Sequence, residues 1–344
     1  MNRRFFLLCI TGFAAYLAGI FSFSFNRCRR IAQWFSRTPF GSCTTACAET
    51  GGKSRVVQIR NNAVFTTEKT VDITIALEML TTAMLHLTGT STPDRAWKTL
   101  FKPDDVVGIK VNALGGRQIA THPGVVDAVI AGLTTAGISE ENIIVWDRLT
   151  GELEKAGYTI NTSDRGVKCF GTDKRYDPEP EIIGSIGSCF SSILSSRCTA
   201  LINIPVLKDH DLSGVSLSLK NFYGAIHNPN KYHDNNCDPY IADLNTHTYI
   251  KDKLRLIVCD GLTMQYQGGP SYKPQWSRTY CTLLLSRDPV AIDRIATILI
   301  EDERRKRGLP TLKDAAREPI HIATAARNGL GTDNLNSIEL VTAS

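Results

Sequence analysis

From about residue 50 onward, short apolar runs bounded by polar residues alternate with longer stretches whose apolar positions recur at helical spacing. Parallel strands need crossover connections, usually helical, so this alternation constrains the chain to an α/β body, a mainly parallel sheet flanked by helices. Strands are predicted at 56–60, 105–112, 142–147, 199–207, 254–259 and 280–285, each rich in Val, Ile or Leu. Helices are predicted from Val71 to Leu87, from Pro123 to about Ala136, from Pro289 to Arg307 and from about Leu312 to Arg327. Proline suits a first helical position, where its missing N–H would have no partner. Between 148 and 198 the chain is rich in Gly, Ser and charge, which predicts an inserted irregular subdomain. The domain organisation expected is a leader and linker over 1–48, then one α/β domain over 49–344.

Phe5 to Phe25 carries no charge and follows Asn-Arg-Arg-Phe-Phe-Leu. That segment resembles the twin-arginine export signal, in which two arginines precede a bulky apolar stretch. Its 21 positions are also long enough for an uncleaved membrane anchor at ~1.5 Å per helical residue. Either reading predicts an extracytoplasmic body, periplasmic or in the cell envelope, with the twin-arginine translocase as a partner during export and residues 5–25 as the point of any membrane association. The formal charge of +5 is concentrated in this leader: residues 1–48 hold six Arg and no Asp, Glu or Lys. The rest has 33 basic against 34 acidic residues, which lacks the basic footprint of a nucleic-acid binder, so no such partner is expected.

Ten cysteines are spread along the chain and none forms a CxxC pair, so zinc-ribbon and ferredoxin spacings are absent. Cys259 and Cys281 fall in apolar strand runs, where inert buried thiols are expected. An exported context permits disulfides among Cys169, Cys189, Cys198 and Cys237, with connectivity left open. There is no GxGxxG after a strand, no GxxxxGK[ST], no HExxH and no GxSxG, which removes the sequence support for the standard dinucleotide, ATP, zincin and serine-hydrolase sites.

Ligands of open α/β sheets bind beyond the carboxyl ends of strands, where loops meet helix N-termini. The unusual polar residues fall at such places. Lys110 and Asn112 end one strand, His122 starts the next helix, and Asp147 ends another strand. Lys208, Asp209 and His210 follow an apolar strand, Ser213 is a candidate helix cap, and Lys220-Asn221 lies among Leu217, Leu219, Phe222 and Ile226. Asp260 and Asp288 end two later strands. Lys208 and His210, two apart in an extended segment, share a face that Lys220 would approach from its helix. His210, Lys208 and Lys220 are therefore the candidate catalytic residues, with Lys110, Asn112, His122, Asn221, Asp260 and Asp288 as candidate substrate-binding residues. The segment 227–237 gathers His227, His233 and Cys237, donors suited to a borderline transition metal, although their spacing is no standard zinc pattern and a hydrogen-bonded loop without metal is the competing reading.

Six segments taken together, Val-Gly-Ile-Lys-Val-Asn (107–112), His-Pro-Gly-Val-Val-Asp-Ala (122–128), Leu-Ile-Asn-Ile-Pro-Val-Leu-Lys-Asp-His (201–210), Ser-Leu-Lys-Asn-Phe-Tyr-Gly (218–224), Cys-Asp-Gly-Leu (259–262) and Arg-Asp-Pro-Val-Ala-Ile-Asp (287–293), resemble the domain-of-unknown-function family 362 over about residues 100–330. Some members of that family carry a ferredoxin-like module with closely spaced cysteines, which this chain lacks. The family is also distantly similar in architecture to the amino-terminal part of nickel-pincer lactate racemases, a likeness of fold alone.

The leading functional expectation is an exported metal- or redox-linked enzyme acting on a small anionic molecule, held by Lys110, Lys208 and Lys220 with His210 as acid/base. The alternatives are a non-catalytic ligand- or metal-binding envelope protein and an electron carrier with a cysteine-bound iron–sulfur cluster. The cofactor is left open between a transition metal and such a cluster.

Overall fold

The computed structural model describes residues 52–343; the leader, with Cys9, Cys28, Cys43 and Cys47, lies outside them. In chain order the elements are β1 (Ser54–Arg60), α1 (Ile73–Thr88), α2 (Pro93–Lys98), β2 (Val107–Val111), α3 (Pro123–Thr135), β3 (Ile143–Trp146), α4 (Thr150–Ala156), β4 (Lys168–Cys169), β5 (Glu181–Ile183), β6 (Ile186–Ser188), β7 (Ala200–Ile204) and β8 (Val206–His210). They continue with β9 (Gly214–Val215), α5 (Leu217–Asn221), α6 (Tyr240–Asn245), α7 (Thr248–Lys251), β10 (Leu254–Gln265), β11 (Ser277–Ser286), α8 (Pro289–Lys306), α9 (Ile320–Arg327) and β12 (Ile338–Ala343).

The main sheet has the order β12-β1-β11-β10-β7-β2-β3-β4, with β8 branching off beside β10 and carrying β9. Every pairing along that path is parallel except those of β11, which runs against β1 and β10. The fold is thus the expected α/β sheet flanked by helices, with the small β5–β6 sheet as an addition. Strand residues alternate between two cores. Val56, Ile144, Leu201, Ile257 and Leu284 join the apolar cluster built with α5, α6, α8 and α9, while α1, α2 and α3 pack against one another on the other face. Burial on both faces explains why β2, β3 and β7 read as continuous apolar runs rather than alternating ones. No helix among the described residues is long and apolar enough to cross a membrane.

Helix boundaries follow local chemistry. Asp72 caps α1 by accepting from Thr74 N and Ile75 N, and Gly89 ends it in the left-handed region. The last helix is shorter than its sequence pattern: only Ile320–Arg327 is helical, because Pro319 lacks the N–H needed to continue a helix through 312–319. Between 148 and 198 the expected irregular stretch contains α4, β4, the β5–β6 pair and a π-helical turn over Ile193–Arg197.

Two departures from the sequence reading shape the site. The run at 199–207 does not end in a loop at Lys208: after Pro205 it continues as β8, and Lys208, Asp209 and His210 are buried strand residues. Likewise β10 runs on to Gln265, so Asp260 lies inside a strand, next to a register shift between Gly261 and Thr263.

Candidate functional site

A cavity of about 210 Å³ opens beyond the carboxyl ends of β2 and β3, and Lys110, Asn112, Asp147, Arg148, His210, Lys220, Asn221, Tyr223 and His233 contribute to its wall. Ligand sites for drug-sized molecules occupy roughly 300–1,000 Å³, so this one suits a smaller guest.

Its floor is a buried polar network. Lys110 Nζ donates to Asp147 Oδ1 at 2.6 Å and to Val111 O at 2.7 Å. The other oxygen of Asp147 accepts from Ala113 N, and Oδ1 also accepts from Arg148 N. Asn112 donates to Asn221 Oδ1 at 3.2 Å, and Asn221 donates to Asn203 Oδ1 at 2.7 Å. Asn203 in turn donates to Ser218 O and Oγ, so β2, β7 and α5 are tied by side-chain amides. Gly224 closes against this pair: a Cβ there would stand 2.7 Å from Asp147 Oδ1 and 2.8 Å from Lys110 Nζ, so only glycine permits the approach.

Lys220 and Asn221 reach the cavity from α5, which starts abruptly. Leu217 takes the left-handed region at φ 47°, and Asp293 from α8 accepts from Ser218 N and Leu219 N. The carboxylate thus holds the start of a helix too short to stand alone. Lys220 Nζ lies 3.1 Å from His233 Nε2, 3.6 Å from Cys237 Sγ and 4.1 Å from the centroid of the Tyr223 ring. His233 Nδ1 faces Pro229 O at 3.0 Å and donates to it, which leaves Nε2 as acceptor toward Lys220. Cys237 is delivered by a turn in which Asn235, Asn236 and Cys237 are all left-handed, at φ 48°, 54° and 62°. Asparagine tolerates that region better than most residues.

Burial governs the ionisation here. It pulls Lys220 down to about 8 and, with the Lys220 charge, holds His233 below its ordinary value. His210 is pulled down to about 2, by burial first and by the nearby Lys220 charge second. Its Nδ1 accepts from Leu212 N and Ser213 N, so the ring is neutral with its proton on Nε2. Asp211 Oδ1, 3.2 Å from that Nδ1, therefore makes no ion pair with it. Burial and the Asp147 charge raise Glu152, which also borders the cavity.

Lys110, Asn112, His210, Lys220 and Asn221 all border this one cavity. The other candidates fall elsewhere. Lys208 is buried behind the cavity wall, its ammonium on Asn112 Oδ1 at 2.9 Å, Leu114 O at 2.7 Å and Ile119 O at 3.4 Å, with burial pulling it down to about 7. His122 and Asp260 form their own pair outside the cavity: Asp260 Oδ2 accepts from His122 N at 2.7 Å and meets Nδ1 at 2.8 Å. Asp288 lies at the opposite end of the sheet, because β11 is antiparallel and its carboxyl end is where the parallel strands begin. There it caps α8, accepting from Val290 N and Ala291 N. Ser213 caps no helix and donates to Val215 O.

The three proposed metal ligands do not assemble. His233 and Cys237 both approach Lys220, but His227 is exposed and packs edge-on against Tyr176 at 5.2 Å. Among the described residues no group of three or more His, Cys, Asp or Glu is arranged to hold a metal ion, and all six described cysteines are free thiols. Arg148, Asp147, Tyr223 and Gly224 are site residues that the sequence reading left out of its candidates; Asp147 satisfied the same strand-end criterion as those included.

Arg148 has a further peculiarity: its Nε is buried without a hydrogen-bond partner among the described residues, although the residue borders the cavity. No curated protein and no solved structure matches the chain. The family described as Domain of unknown function (DUF362) matches residues 107–297, more than half of the chain, and the residues that border the cavity, from Lys110 to Pro270, lie inside that span; the chain belongs to this family.

Proposed function

We propose that the cavity binds a small anion, a carboxylate or phosphate compound of few atoms, and that Lys220 with His233 moves a proton on it. The observation that carries this reading is an imbalance of charge. Lys110, Arg148 and Lys220 border the cavity against Asp147 and Glu152, and Asp147 is already committed to Lys110. Lys220 has no carboxylate within ion-pair distance among the described residues, and Arg148 keeps an unmet N–H. A buried donor without an acceptor costs about 1–3 kcal/mol, which an anion in the cavity would relieve. Acid–base work falls to Lys220 and His233 rather than to His210, whose depressed pKa keeps it a neutral donor through Nε2–H.

Calorimetric or NMR titration with acetate, oxalate and inorganic phosphate tests the reading. At least one is expected to bind, and Arg148→Gln to weaken it about tenfold or more, equivalent to ~1.4 kcal/mol. Absence of binding, or equal binding by the variant, would remove the proposal.

The leader supports an exported setting for this enzyme, since Arg3-Arg4 directly precedes the charge-free stretch Phe5–Phe25. Replacing both arginines with lysine preserves charge and should retain the protein in the cytoplasm; unchanged delivery to the envelope would rule out the twin-arginine route.

A further inference from the structure

The three buried lysines at this end of the sheet differ in what holds them. Lys110 is fixed by a carboxylate and Lys208 by three oxygen acceptors, whereas among the described residues Lys220 meets only an imidazole nitrogen, a thiol and an aromatic face. We propose that Lys220 is a nucleophile that forms an imine with the carbonyl carbon of a small 2-oxo acid whose carboxylate is seated at Arg148. This rests on the reading of the cavity as a small-anion site and names the class of anion.

The geometry supplies the proton path. His233 Nε2, 3.1 Å away, takes a proton from the ammonium while Nδ1–H stays on Pro229 O. The free amine attacks the carbonyl carbon, forming the C–N bond as the C=O π pair moves to oxygen. The new nitrogen then gives up one proton and the oxygen gains one, leaving a neutral carbinolamine beside protonated His233. His233 returns its proton to the hydroxyl, water leaves, and the nitrogen lone pair closes the C=N bond as a protonated imine. Ammonium and ketone thus become iminium and water, with charge conserved and no oxidant or reductant consumed. Lys220 suits this role because an amine must be unprotonated to attack, and burial brings it down to about 8. Lys110 Nζ is instead tied to Asp147 Oδ1 at 2.6 Å.

The test is borohydride trapping of the full chain with pyruvate, followed by intact mass and peptide mapping, with pyruvate binding measured in parallel. One reduced pyruvyl adduct per chain is expected, on Lys220, and absent from Lys220→Arg. His233→Gln should slow trapping roughly a hundredfold while pyruvate still binds. Should Lys220→Arg fail to fold, the mapped position in the unaltered chain decides. Pyruvate binding without an adduct on Lys220, or adducts spread over surface lysines, overturns the imine and leaves the anion site standing. Failure of pyruvate, acetate, oxalate and phosphate alike to bind overturns both.

Discussion

The two ends of the sheet use the same charged residue types and satisfy them differently. At the amino ends, Asp105 takes both Arg255 guanidinium nitrogens, Thr199 Oγ1 and Lys102 N, and Arg55 meets Glu339 at 2.7 Å. Positive charge there meets carboxylate directly, and Asp288 is spent on the N-terminus of α8, on Thr332 N and on Ser54 Oγ. Among the described residues three lysines are buried at the carboxyl ends, and of these only Lys110 has a carboxylate partner within ion-pair distance. The amino end matches Arg255 and Arg55 to carboxylates, whereas Lys208 and Lys220 at the carboxyl end are buried on neutral acceptors.

The sharpest way to break this contrast is to remove the carboxylate that holds Lys110. Asp147→Ala leaves Lys110 buried without its partner and should lose about 3–5 kcal/mol of unfolding free energy in denaturant titrations. A loss under ~1 kcal/mol would mean that the floor of the cavity tolerates uncompensated charge and that the two ends are not different in kind.

Lys208 sharpens the contrast through pH. Its folded pKa, about 7, lies below the ordinary 10.5, so between those values the unfolded chain binds more protons and stability rises with pH. The gain approaches ~1.4 kcal/mol per pH unit and the penalty is fully present below pH 7. Comparing denaturant midpoints of the unaltered chain and Lys208→Met from pH 7 to 10 should show that slope reduced in the variant. Parallel curves would place the protonated amine in a solvated setting.

The smallest effect belongs to the amino end. Asp288→Ala removes a helix cap and should cost about 1 kcal/mol, visible as a lowered melting temperature, while anion binding in the cavity stays unchanged. Weakened anion binding would couple the two ends and dissolve the comparison.

What the sequence made legible followed from burial. Val107–Val111 and Ala200–Ile204 are apolar because both faces of the sheet are covered, and Lys220-Asn221 stood out because polar residues among Leu217, Leu219 and Phe222 must aim at partners. Strand direction carries no such mark. Nothing in the residues of β11 marks it as running against β1 and β10, so the sequence alone places Asp288 at the wrong end of the sheet. Lys208-Asp209-His210 is equally opaque as a strand, since a buried run of three polar residues departs from the apolar pattern and is held in part by distant partners such as Arg317 on Asp209. Gly224 was visible within its segment, but its close approach to Lys110 and Asp147 depends on a fold that brings residues more than 70 positions apart into contact.

The placement of β1 has a consequence for how the chain matures. Residues 54–60 lie between β11 and β12, so their two hydrogen-bonding neighbours are residues 277–286 and 338–343. On a ribosome elongating at about 5–20 residues per second, β1 waits roughly 15–60 s before the second of them exists. Until residues 277–286 exist neither of its edges has a partner, and until 338–343 exist one edge stays open. Closure of the sheet around β1 therefore depends on residues made long after it, and its two edges are filled in order, first by β11 and then by β12.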